Sequence, residues 1–314
     1  MTVLVTGANG FVGSALCATL ARTPKRLRLA LRHPKAALPG VDVATIEAIG
    51  PHTPWTHALQ DCDTVIHLAA RAHVMREAAH DPLAAYRNVN TAGTLHLARQ
   101  AAAAGVQRFI FLSSIKVNGE ATAPGQAFRA SDTHRPQDPY GTSKWEAEQG
   151  LHHIAQDTGM EVVVIRPPLI YGPGVKANFA ALLRAISNKR PLPLGAIHNL
   201  RSLVGLGNLV DLILTCTTHP SAAQQTFLVS DGEDLSTTDL IRRIARAMGQ
   251  PSRLLPVPAW LLQAGASLVG QGAAVQRLCG NLQVDIQHTR DVLGWTPPVT
   301  LDEELRRTVA AMQP

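Results

Sequence analysis

The chain has 314 residues, of which 46% are apolar and 17% are charged, and its formal net charge is +6. This composition is typical of a globular protein with room for one large domain or two smaller ones, and it excludes a disordered chain. Lysine and arginine are scattered without a basic block, so we expect no nucleic-acid partner. The positive charge suits small anionic ligands or serves only to solvate the surface.

Cysteine usage and hydropathy favour a reducing compartment and no membrane segment. Cys17, Cys62, Cys216 and Cys279 lie far apart without a Cys-x-x-Cys pair, which favours free thiols over zinc ligands or disulfides. The N-terminus lacks the pattern of a signal peptide. The apolar stretch 254–270 is interrupted by proline, glutamine and glycine, whereas a spanning helix needs about 20 mostly apolar residues. We therefore expect a cytoplasmic protein with no membrane span and no bound metal.

The first predicted elements are a strand at 2–6, a glycine-rich loop with the sequence GANGFVG at 7–13, and a helix at 14–21. Glycines permit a tight turn and a close approach of the backbone, so main-chain N–H groups and the positive helix end can receive a pyrophosphate. Placed directly after a first strand, this loop predicts dinucleotide binding rather than a purely structural turn.

The second predicted strand, 27–31, is followed by Arg32, about 20 positions after the loop. In a dinucleotide-binding unit this position contacts the adenosine ribose. An acidic residue there binds the free 2′-hydroxyl of NAD, whereas an arginine can bind the 2′-phosphate of NADP through charge-assisted bonds. Arg32 therefore favours NADP, unless it is only a solvated arginine at a strand end.

Further strands are predicted at 41–46 and 64–68. The small residues Ala69 and Ala70 that follow the second of these let the chain pass close beneath a cofactor. His67, inside that strand, is predicted to be a core or supporting histidine, because no partner follows at the spacing of metal ligands.

A long helix is predicted over 81–104, and Asn90 in its middle is either exposed or holds neighbouring backbone or a water near the site. The next strand, 108–112, delivers Ser113 and Ser114 at its C-terminal end. Ligands of parallel sheets bind at that edge. Either serine can therefore hydrogen-bond a substrate oxygen or merely cap the end of the strand.

Tyr140 and Lys144 are spaced i and i+4 in a helix predicted over 140–158. Residues at this spacing face the same side of a helix, so both can reach one site. An ammonium near a phenol favours the phenolate, which brings the pKa of Tyr140 closer to neutral and makes it a useful acid and base. By itself the pattern also fits a plain amphipathic helix.

Strands and helices alternate up to a strand at 161–165, which predicts an α/β fold with a Rossmann-type doubly wound parallel sheet. We expect residues 1–165 to form an NAD(P)-binding domain. Residues 166–314 are expected to form a smaller, mixed and mainly helical substrate-binding lobe, with some segments returning to the sheet. The predicted helices of this lobe are 177–187, 209–219, 236–248 and 301–312.

Five motifs occur together in one order. They are TGANGFVG at 6–13, HLAA at 67–70, the serine pair at 113–114, YGTSK at 140–144 and RPPLIYGPG at 166–174. They resemble the extended short-chain dehydrogenase/reductases over nearly the whole chain. More narrowly, the chain is similar to the NAD(P)-dependent epimerase/dehydratase family, which acts on nucleotide sugars.

This resemblance implies roles for individual residues. Tyr140 is the catalytic acid and base, Lys144 binds the nicotinamide ribose and lowers the pKa of Tyr140, and Ser114 hydrogen-bonds the reacting sugar oxygen. The implied cofactor contacts are Gly7, Asn9, Gly10, Phe11, Val12, Gly13, Arg32, Leu68, Ala69, Ala70, Tyr140, Lys144 and Pro167. The implied substrate contacts are Ser114, Arg201 on the diphosphate, Arg277 as a second grip and Asn178 at the nucleotide end.

The chain also departs from the family pattern. Arg32 stands where NAD-binding members carry an acid, and Ala48-Ile49 replaces an aspartate that contacts adenine in many members. Asn208 stands where an aspartate is common, so a local structural bond is expected to be missing. Dehydratases of the family follow the serine or threonine with an Asp-Glu pair as extra acid and base, but here Ile115 and Lys116 follow, which excludes dehydration.

Two enzymatic activities at carbon 4 of a UDP-hexose remain open. A 4-epimerase keeps NAD bound, removes hydride and returns it to the other face of the sugar. A 4-reductase uses NADPH or NADH once on a 4-keto-6-deoxy sugar, and Arg32 favours this activity. An NAD(P)-binding regulator is the non-enzymatic alternative. The expected partner is a nucleotide diphosphate sugar, the expected setting is surface-polysaccharide synthesis, and a homodimer is left open.

Overall fold

Ten strands and twelve helices form in the part of the chain described by the computed structural model, residues 1–33, 41–72, 80–268 and 272–312. The strands are β1 (Thr2–Thr6), β2 (Arg26–Leu31), β3 (Asp42–Thr45), β4 (Thr64–His67), β5 (Arg108–Leu112), β6 (Glu161–Arg166), β7 (Leu169–Tyr171), β8 (Arg201–Gly205), β9 (Gln225–Leu228) and β10 (Asp234–Leu235). The helices are α1 (Phe11–Leu20), α2 (Thr56–Leu59), α3 (Pro82–Tyr86), α4 (Thr94–Ala103), α5 (Pro139–Thr158), α6 (Ala177–Ser187), α7 (Leu206–Thr218), α8 (Thr237–Ala247), α9 (Ala259–Leu268), α10 (Gly272–Cys279), α11 (Gln287–Leu293) and α12 (Leu301–Ala310).

Seven parallel strands make the main sheet, in the order β3-β2-β1-β4-β5-β6-β9. The chain builds outward from β1 to β2 and β3 on one side, then returns to place β4, β5 and β6 on the other. The order therefore reverses between β1 and β4, and ligands of such sheets bind at the C-terminal ends of the strands at this reversal. The predicted doubly wound α/β fold is confirmed.

Alternation along each strand explains why the sheet is covered on both faces. In β1, Val3 and Val5 join one buried cluster, with α1 and α7, while Leu4 joins the opposite cluster, with α4 and α5. Successive side chains of a strand point to opposite faces, so an unbroken apolar run buries both. The core thus fixes the strand ends from which the functional side chains project.

The C-terminal part contains strands that the sequence patterns did not predict. β7, β8 and β10 form a three-stranded sheet in the order β10-β8-β7, with a third apolar core around it. The strands are only two to five residues long, and proline and glycine interrupt the sequence between them, which hides their periodicity. β9 returns to the main sheet as its edge strand. The division at residue 165 stays a prediction.

Two helix boundaries also differ from expectation. α1 begins at Phe11 instead of residue 14, and the helix predicted over 81–104 is interrupted by a π-helical segment at Arg87–Gly93. Gly93 ends this segment, and a Cβ at this glycine would lie 2.9 Å from Cγ2 of Ile49. The wider, π-helical turn therefore lies where the helix backbone comes close to residues 49–50.

None of the helices among the described residues is both long and apolar enough to cross a membrane. The four cysteines are free thiols, and Cys17, Cys62 and Cys216 are buried. Burial raises the pKa of the Cys17 and Cys216 thiols to about 12. These thiols are therefore uncharged core side chains at neutral pH.

Candidate active site

A cradle for phosphate groups forms where β1 ends. Gly7 has a φ of 72°, and a Cβ there would lie 2.7 Å from the amide nitrogen of Ala69. A Cβ on Gly13 would lie 2.1 Å from the carbonyl oxygen of Gly7, so only glycine lets α1 come this close to the loop. α1 begins at Phe11, within the glycine-rich segment 7–13, and Gly10 before it has no side chain that could cap the first N–H groups of the helix. These N–H groups and the positive helix end fit a pyrophosphate.

The other predicted cofactor residues surround the same strand ends. The amides of Leu68 and Ala69 donate to the carbonyl oxygen and the hydroxyl of Thr6, both at 3.3 Å, which holds this segment against the glycine loop. The carbonyl oxygen of Pro167 accepts from the amide of Ile115 at 3.0 Å. Among the remaining positions Asn9 is exposed, Phe11 and Ala70 are half-buried, and Val12 and Pro167 are buried.

Arg32 is exposed and lies one residue past the end of β2. β2 pairs with β1 in register from Thr2 to Thr6, so Arg32 lies on the strand next to the one that leads into the glycine loop. This is the position that the sequence predicted for a contact with the adenosine ribose.

Ser114 and Tyr140 are carried by two helical segments that touch at their first turns. Ser114 follows β5, and its Oγ accepts from the amide of Lys116 at 3.3 Å, which caps the 3₁₀ turn Ile115–Val117. A Cβ on Gly141, in the first turn of α5, would lie 2.9 Å from the carbonyl oxygen of Lys116. Because Oγ of Ser114 is the acceptor in this capping hydrogen bond, its O–H remains able to donate to a ligand.

Tyr140 is half-buried, with its ring edge-on to Tyr86 at 6.1 Å between centroids. The guanidinium of Arg71 lies over the other aromatic ring, 5.4 Å from the centroid of Tyr86. Burial, then the charge of Asp138, then Tyr86 raise the pKa of Tyr140 above its ordinary value. This direction is opposite to the lowering that the Tyr-x-x-x-Lys pattern predicts.

The Lys144 side chain is held at the end of β5. Its Nζ donates to the carbonyl oxygen of Leu112 at 2.7 Å and lies 4.3 Å from the ring centroid of Phe111. Burial lowers the pKa of Lys144 to about 7, with the charge of Glu148 opposing the shift. The ammonium is thus fixed at the end of β5, beneath the site, and its positive charge is only partly retained at neutral pH.

A buried ion pair lies one turn further along α5. Glu148 and Arg166 bond through Nη2 at 2.6 Å and through Nε at 3.1 Å, and both side chains are under 5% exposed. The hydroxyl of Ser113 donates to the same carboxylate, and Arg166 also donates to Oδ1 of Asn118 at 3.0 Å. Neither partner was predicted from the sequence. The available signal was Glu148 at i+4 from Lys144, on the helix face of the proposed catalytic pair.

Asn90 and His67 bond with their surroundings inside the fold. Asn90 Oδ1 accepts from the amide of Arg71 at 2.8 Å, and its Nδ2 donates to Oγ of Ser143 at 3.0 Å, so it holds backbone beside the site. The buried ring of His67 lies between the hydroxyls of Thr6 at 2.7 Å and Thr94 at 2.9 Å. Burial, aided by the charge of Lys144, lowers the pKa of His67 to about 3, so this histidine is neutral.

A family model described as NAD dependent epimerase/dehydratase family matches residues 3–230. The chain belongs to this family. A UDP-glucose 4-epimerase of Vibrio cholerae is 49% identical over 99% of this chain and 95% of its own length. A GDP-6-deoxy-D-mannose reductase of Pseudomonas aeruginosa is 28% identical over 97% and 94%. The structure of MoeE5 in complex with UDP-glucuronic acid and NAD has a TM-score of 0.78 at 23% identity, covering 100% and 99% of the two chains.

Membership of the epimerase/dehydratase family confirms the family prediction and the expected class of enzyme. One departure from the family pattern has a structural answer. Asn208 donates to Oδ1 of Asp231 at 2.7 Å and to the carbonyl oxygen of Val299 at 2.8 Å, and it accepts from the amide of Val299 at 3.0 Å. The expected loss of a local bond at this position was therefore wrong.

The other predicted substrate residues, besides Ser114, lie in the C-terminal part. Arg201 begins β8, is half-buried, and donates through Nη1 to the carbonyl oxygen of Gly280 at 3.0 Å. Burial lowers the pKa of Arg201 from its high ordinary value. Asn178 is exposed in the first turn of α6. Arg277 falls within α10, but its side chain lies outside the described part of the chain.

The described residues contain no group of three or more histidine, cysteine, aspartate or glutamate side chains placed to hold a metal ion.

Proposed function

We propose that the protein interconverts two UDP-hexoses that differ in configuration at carbon 4, by oxidation at that carbon and reduction from the opposite face. The observation that carries the proposal is the contact between the turn after Ser114 and the first turn of α5, at the same edge of the sheet as the glycine loop. It places a hydroxyl and a phenol at the C-terminal edge of the sheet, where ligands of this topology bind. The 49% identity to a UDP-glucose 4-epimerase supports the same reaction.

In this proposal Tyr140 takes the proton of the 4-hydroxyl and later returns it. Ser114 donates its O–H to the same sugar oxygen, which is possible because its cap bond uses Ser114 only as an acceptor. Lys144 holds the nicotinamide ribose, and its bond to the carbonyl oxygen of Leu112 fixes the ammonium at the end of β5. The raised pKa of Tyr140 means that free enzyme holds a protonated phenol at neutral pH, so Tyr140 must first release this proton to solvent before it can accept that of the 4-hydroxyl. The positive charge of a bound oxidised nicotinamide would favour the required phenolate.

The residues of the glycine loop fit NAD or NADP. A Cβ at Gly7 or Gly13 would overlap the backbone of the loop and of the 68–70 segment, so the cradle depends on both glycines. When bound, the oxidised nicotinamide supplies a hydride acceptor and a positive charge. The chain supplies the pyrophosphate-binding amides, through Gly10, Phe11 and Val12 at the start of α1.

For the nucleotide sugar, we assign the diphosphate to Arg201 and the nucleotide end to Asn178, with Arg277 as a second cation. Arg201 donates through Nη1 to the carbonyl oxygen of Gly280, which fixes one end of a planar guanidinium whose geometry matches a phosphate. Such a side chain can be held in place and still bind a phosphate.

A second candidate is a 4-reductase that consumes NADPH, and it is favoured by Arg32. This exposed arginine lies at the position that contacts the adenosine ribose in this topology, and a guanidinium there favours a 2′-phosphate. If it binds that phosphate, Arg32→Asp should reverse the preference between NADPH and NADH, each charge contact being worth about 1.5–3 kcal/mol. Fluorescence titration with both reduced cofactors measures the preference.

Product analysis with cofactor accounting tests the proposal. The purified enzyme is incubated with UDP-glucose and with UDP-N-acetylglucosamine, and separately with a 4-keto-6-deoxy UDP-sugar plus NADPH. Epimerisation predicts equilibration of the UDP-hexoses without net consumption of cofactor. Stoichiometric oxidation of NADPH with the keto sugar, and no epimerisation, would replace the first candidate with the second.

We also propose that the enzyme works in the cytoplasm, where nucleotide sugars for surface polysaccharide are made. A homodimer is compatible with this function. Light scattering of the purified protein at several concentrations measures the assembly.

A further inference from the structure

We propose that Lys116 is a positioning residue of the active site, tying the turn that carries Ser114 to the start of the helix that carries Tyr140 and neutralising the carboxylate that caps this helix. The inference rests on the function proposed above. Lys116 is two residues after Ser114, in the 3₁₀ turn Ile115–Val117. Its ammonium forms an ion pair with Oδ2 of Asp138 and a second, at 3.2 Å, with Glu120.

Asp138 uses its two oxygens for the two elements. Oδ1 accepts from the amide of Gly141 at 2.6 Å and thereby caps the N-terminus of α5, while Oδ2 receives the ammonium of Lys116. The cap satisfies an N–H that would otherwise lack a partner in the first turn. The Asp138 carboxylate therefore links the turn that follows Ser114 to the first turn of α5, which carries Tyr140.

The backbone contact beside this ion pair leaves little room for movement. The position of a Cβ on Gly141 would be 2.9 Å from the carbonyl oxygen of Lys116, so the two segments already touch. Without the ion pair, Asp138 would still cap α5, but nothing on its second oxygen would hold the cap to the serine turn. We expect the distance between Ser114 and Tyr140 to vary more in that case.

The charges around Tyr140 give Lys116 a second effect. Asp138 is two residues away on α5 and disfavours the phenolate, and Tyr86 faces the ring from α3. Lys144 directs its charge to the carbonyl oxygen of Leu112, and Arg71 lies over Tyr86. Lys116, with Glu120 as its other partner, pairs directly with Asp138, the carboxylate whose charge disfavours the Tyr140 phenolate.

An ordinary ion pair is the alternative. The side chain of Lys116 is 33% exposed, and such pairs contribute little to the stability of a fold. The two explanations differ in their effect on Tyr140. A stabilising ion pair would change the melting temperature, whereas the proposed role changes the pH at which Tyr140 ionises.

The test compares Lys116→Met with Asp138→Asn, because asparagine still caps a helix but has no charge. Rates are measured as a function of pH with saturating cofactor. Lys116→Met should move the acidic limb of the rate profile to higher pH and lower kcat at pH 7 about fivefold, with KM changed less than twofold. Asp138→Asn should move the same limb to lower pH. In the double variant, Lys116→Met should no longer raise the limb above that of Asp138→Asn.

Controls separate the charge from the fold. Lys116→Arg should retain the wild-type profile, and Glu120→Gln, which removes the other partner of Lys116, should leave the limb in place. If both Lys116→Met and Asp138→Asn lower activity with no shift of the limb, or if activity falls only in step with the melting temperature, the inference is wrong. Lys116→Gln replaces Lys116→Met if the latter does not fold.

A readout without turnover keeps this test separate from the proposed reaction. The chain has only three tyrosines, so 13C labelling at the ring carbon that carries the hydroxyl gives three NMR signals, and Tyr140→Phe assigns one of them. In cofactor-bound protein, the signal of Tyr140 should titrate at higher pH in Lys116→Met. This result would stand even if no UDP-hexose were epimerised, and an unchanged titration would reject the role of Lys116 while leaving the proposed reaction intact.

Discussion

Two buried carboxylates, one at the sheet edge and one in the C-terminal part, are held in different ways. Glu148 pairs with the guanidinium of Arg166 and accepts from Ser113, next to the strand end that carries Ser114. Asp231 instead accepts from neutral donors in the described part of the chain, namely the amide of Gly205 at 2.8 Å, Asn208 at 2.7 Å and the hydroxyl of Tyr171 at 2.7 Å.

The difference separates a carboxylate paired with a cation from one held by neutral donors. Burial raises the pKa of Asp231, and its three donors only partly offset this effect. Those donors belong to the ends of β7 and β8 and the start of α7, so Asp231 joins elements of the smaller sheet. Glu148 joins α5 to β5 and β6 in the main sheet, behind Tyr140 and Lys144. The two buried carboxylates therefore connect different elements through partners of different charge.

The largest expected effect is on the reaction itself. Tyr140→Phe should retain the fold and cofactor binding but lower kcat by about 10²–10⁴, the usual contribution of a general acid and base. Steady-state rates on the UDP-hexose that the wild type epimerises give the measurement. More than a third of the wild-type rate would remove Tyr140 from the catalytic role.

Breaking the ion pair between Glu148 and Arg166 should cause the largest loss of stability. Glu148→Ala leaves the buried guanidinium of Arg166 without its carboxylate, so we expect a loss of about 3–5 kcal/mol in the free energy of unfolding. Urea denaturation measures the loss, with Gln149→Ala, an exposed neighbour on α5, as the control. A loss below 1 kcal/mol would mean that the pair does not hold α5 to β6.

Removing the proposed diphosphate contact of Arg201 should weaken substrate binding without destabilising the fold. Arg201→Ala should weaken the binding of UDP by about 1.5–3 kcal/mol through the loss of a charge-assisted contact, with cofactor affinity unchanged. Arg190→Ala, an exposed arginine before β8, is the matched control for calorimetry. Equal affinity of Arg201→Ala and wild type for UDP would exclude Arg201 from the site.

Removing the second carboxylate should cost stability but not activity. Asp231→Ala leaves three buried donors without their acceptor, so we expect a loss of about 1–3 kcal/mol in the free energy of unfolding. The kcat of the folded fraction should stay within about threefold of wild type. A specific loss of kcat in Asp231→Ala would contradict the distinction between the two carboxylates.

The smallest expected effect concerns the neutral histidine beneath the sheet edge. The unfolded chain binds a proton at His67 below about pH 6.5, whereas the folded chain does so only near its lowered pKa of about 3. Stability is therefore lost as pH falls through this window, by about 1.4 kcal/mol between pH 8 and pH 5.5. His67→Gln should remove this part of the pH dependence, and the exposed His152→Gln should not.

The sequence predicted those features that depend on local spacing. The glycine loop, the i and i+4 pair on α5 and the apolar strands are each visible as a pattern within a few consecutive residues. The fold class predicted from these patterns is confirmed. The partners of Glu148 come from β5 and β6, 35 and 18 residues away, and no local pattern joins them. The Lys144 ammonium donates to the carbonyl oxygen of Leu112, on a strand 32 residues away, so spacing along α5 alone could not predict this bond.

Labelled substrate tests the central claim, redox chemistry at carbon 4 with hydride returned to the same sugar, most directly. The enzyme is incubated with UDP-glucose carrying deuterium at carbon 4, and the products are analysed by NMR and mass spectrometry while the absorbance of reduced cofactor is followed. We predict UDP-galactose that retains deuterium at carbon 4, with no net change in cofactor. Epimer that has lost its deuterium to solvent, or no epimer at all, would contradict the account.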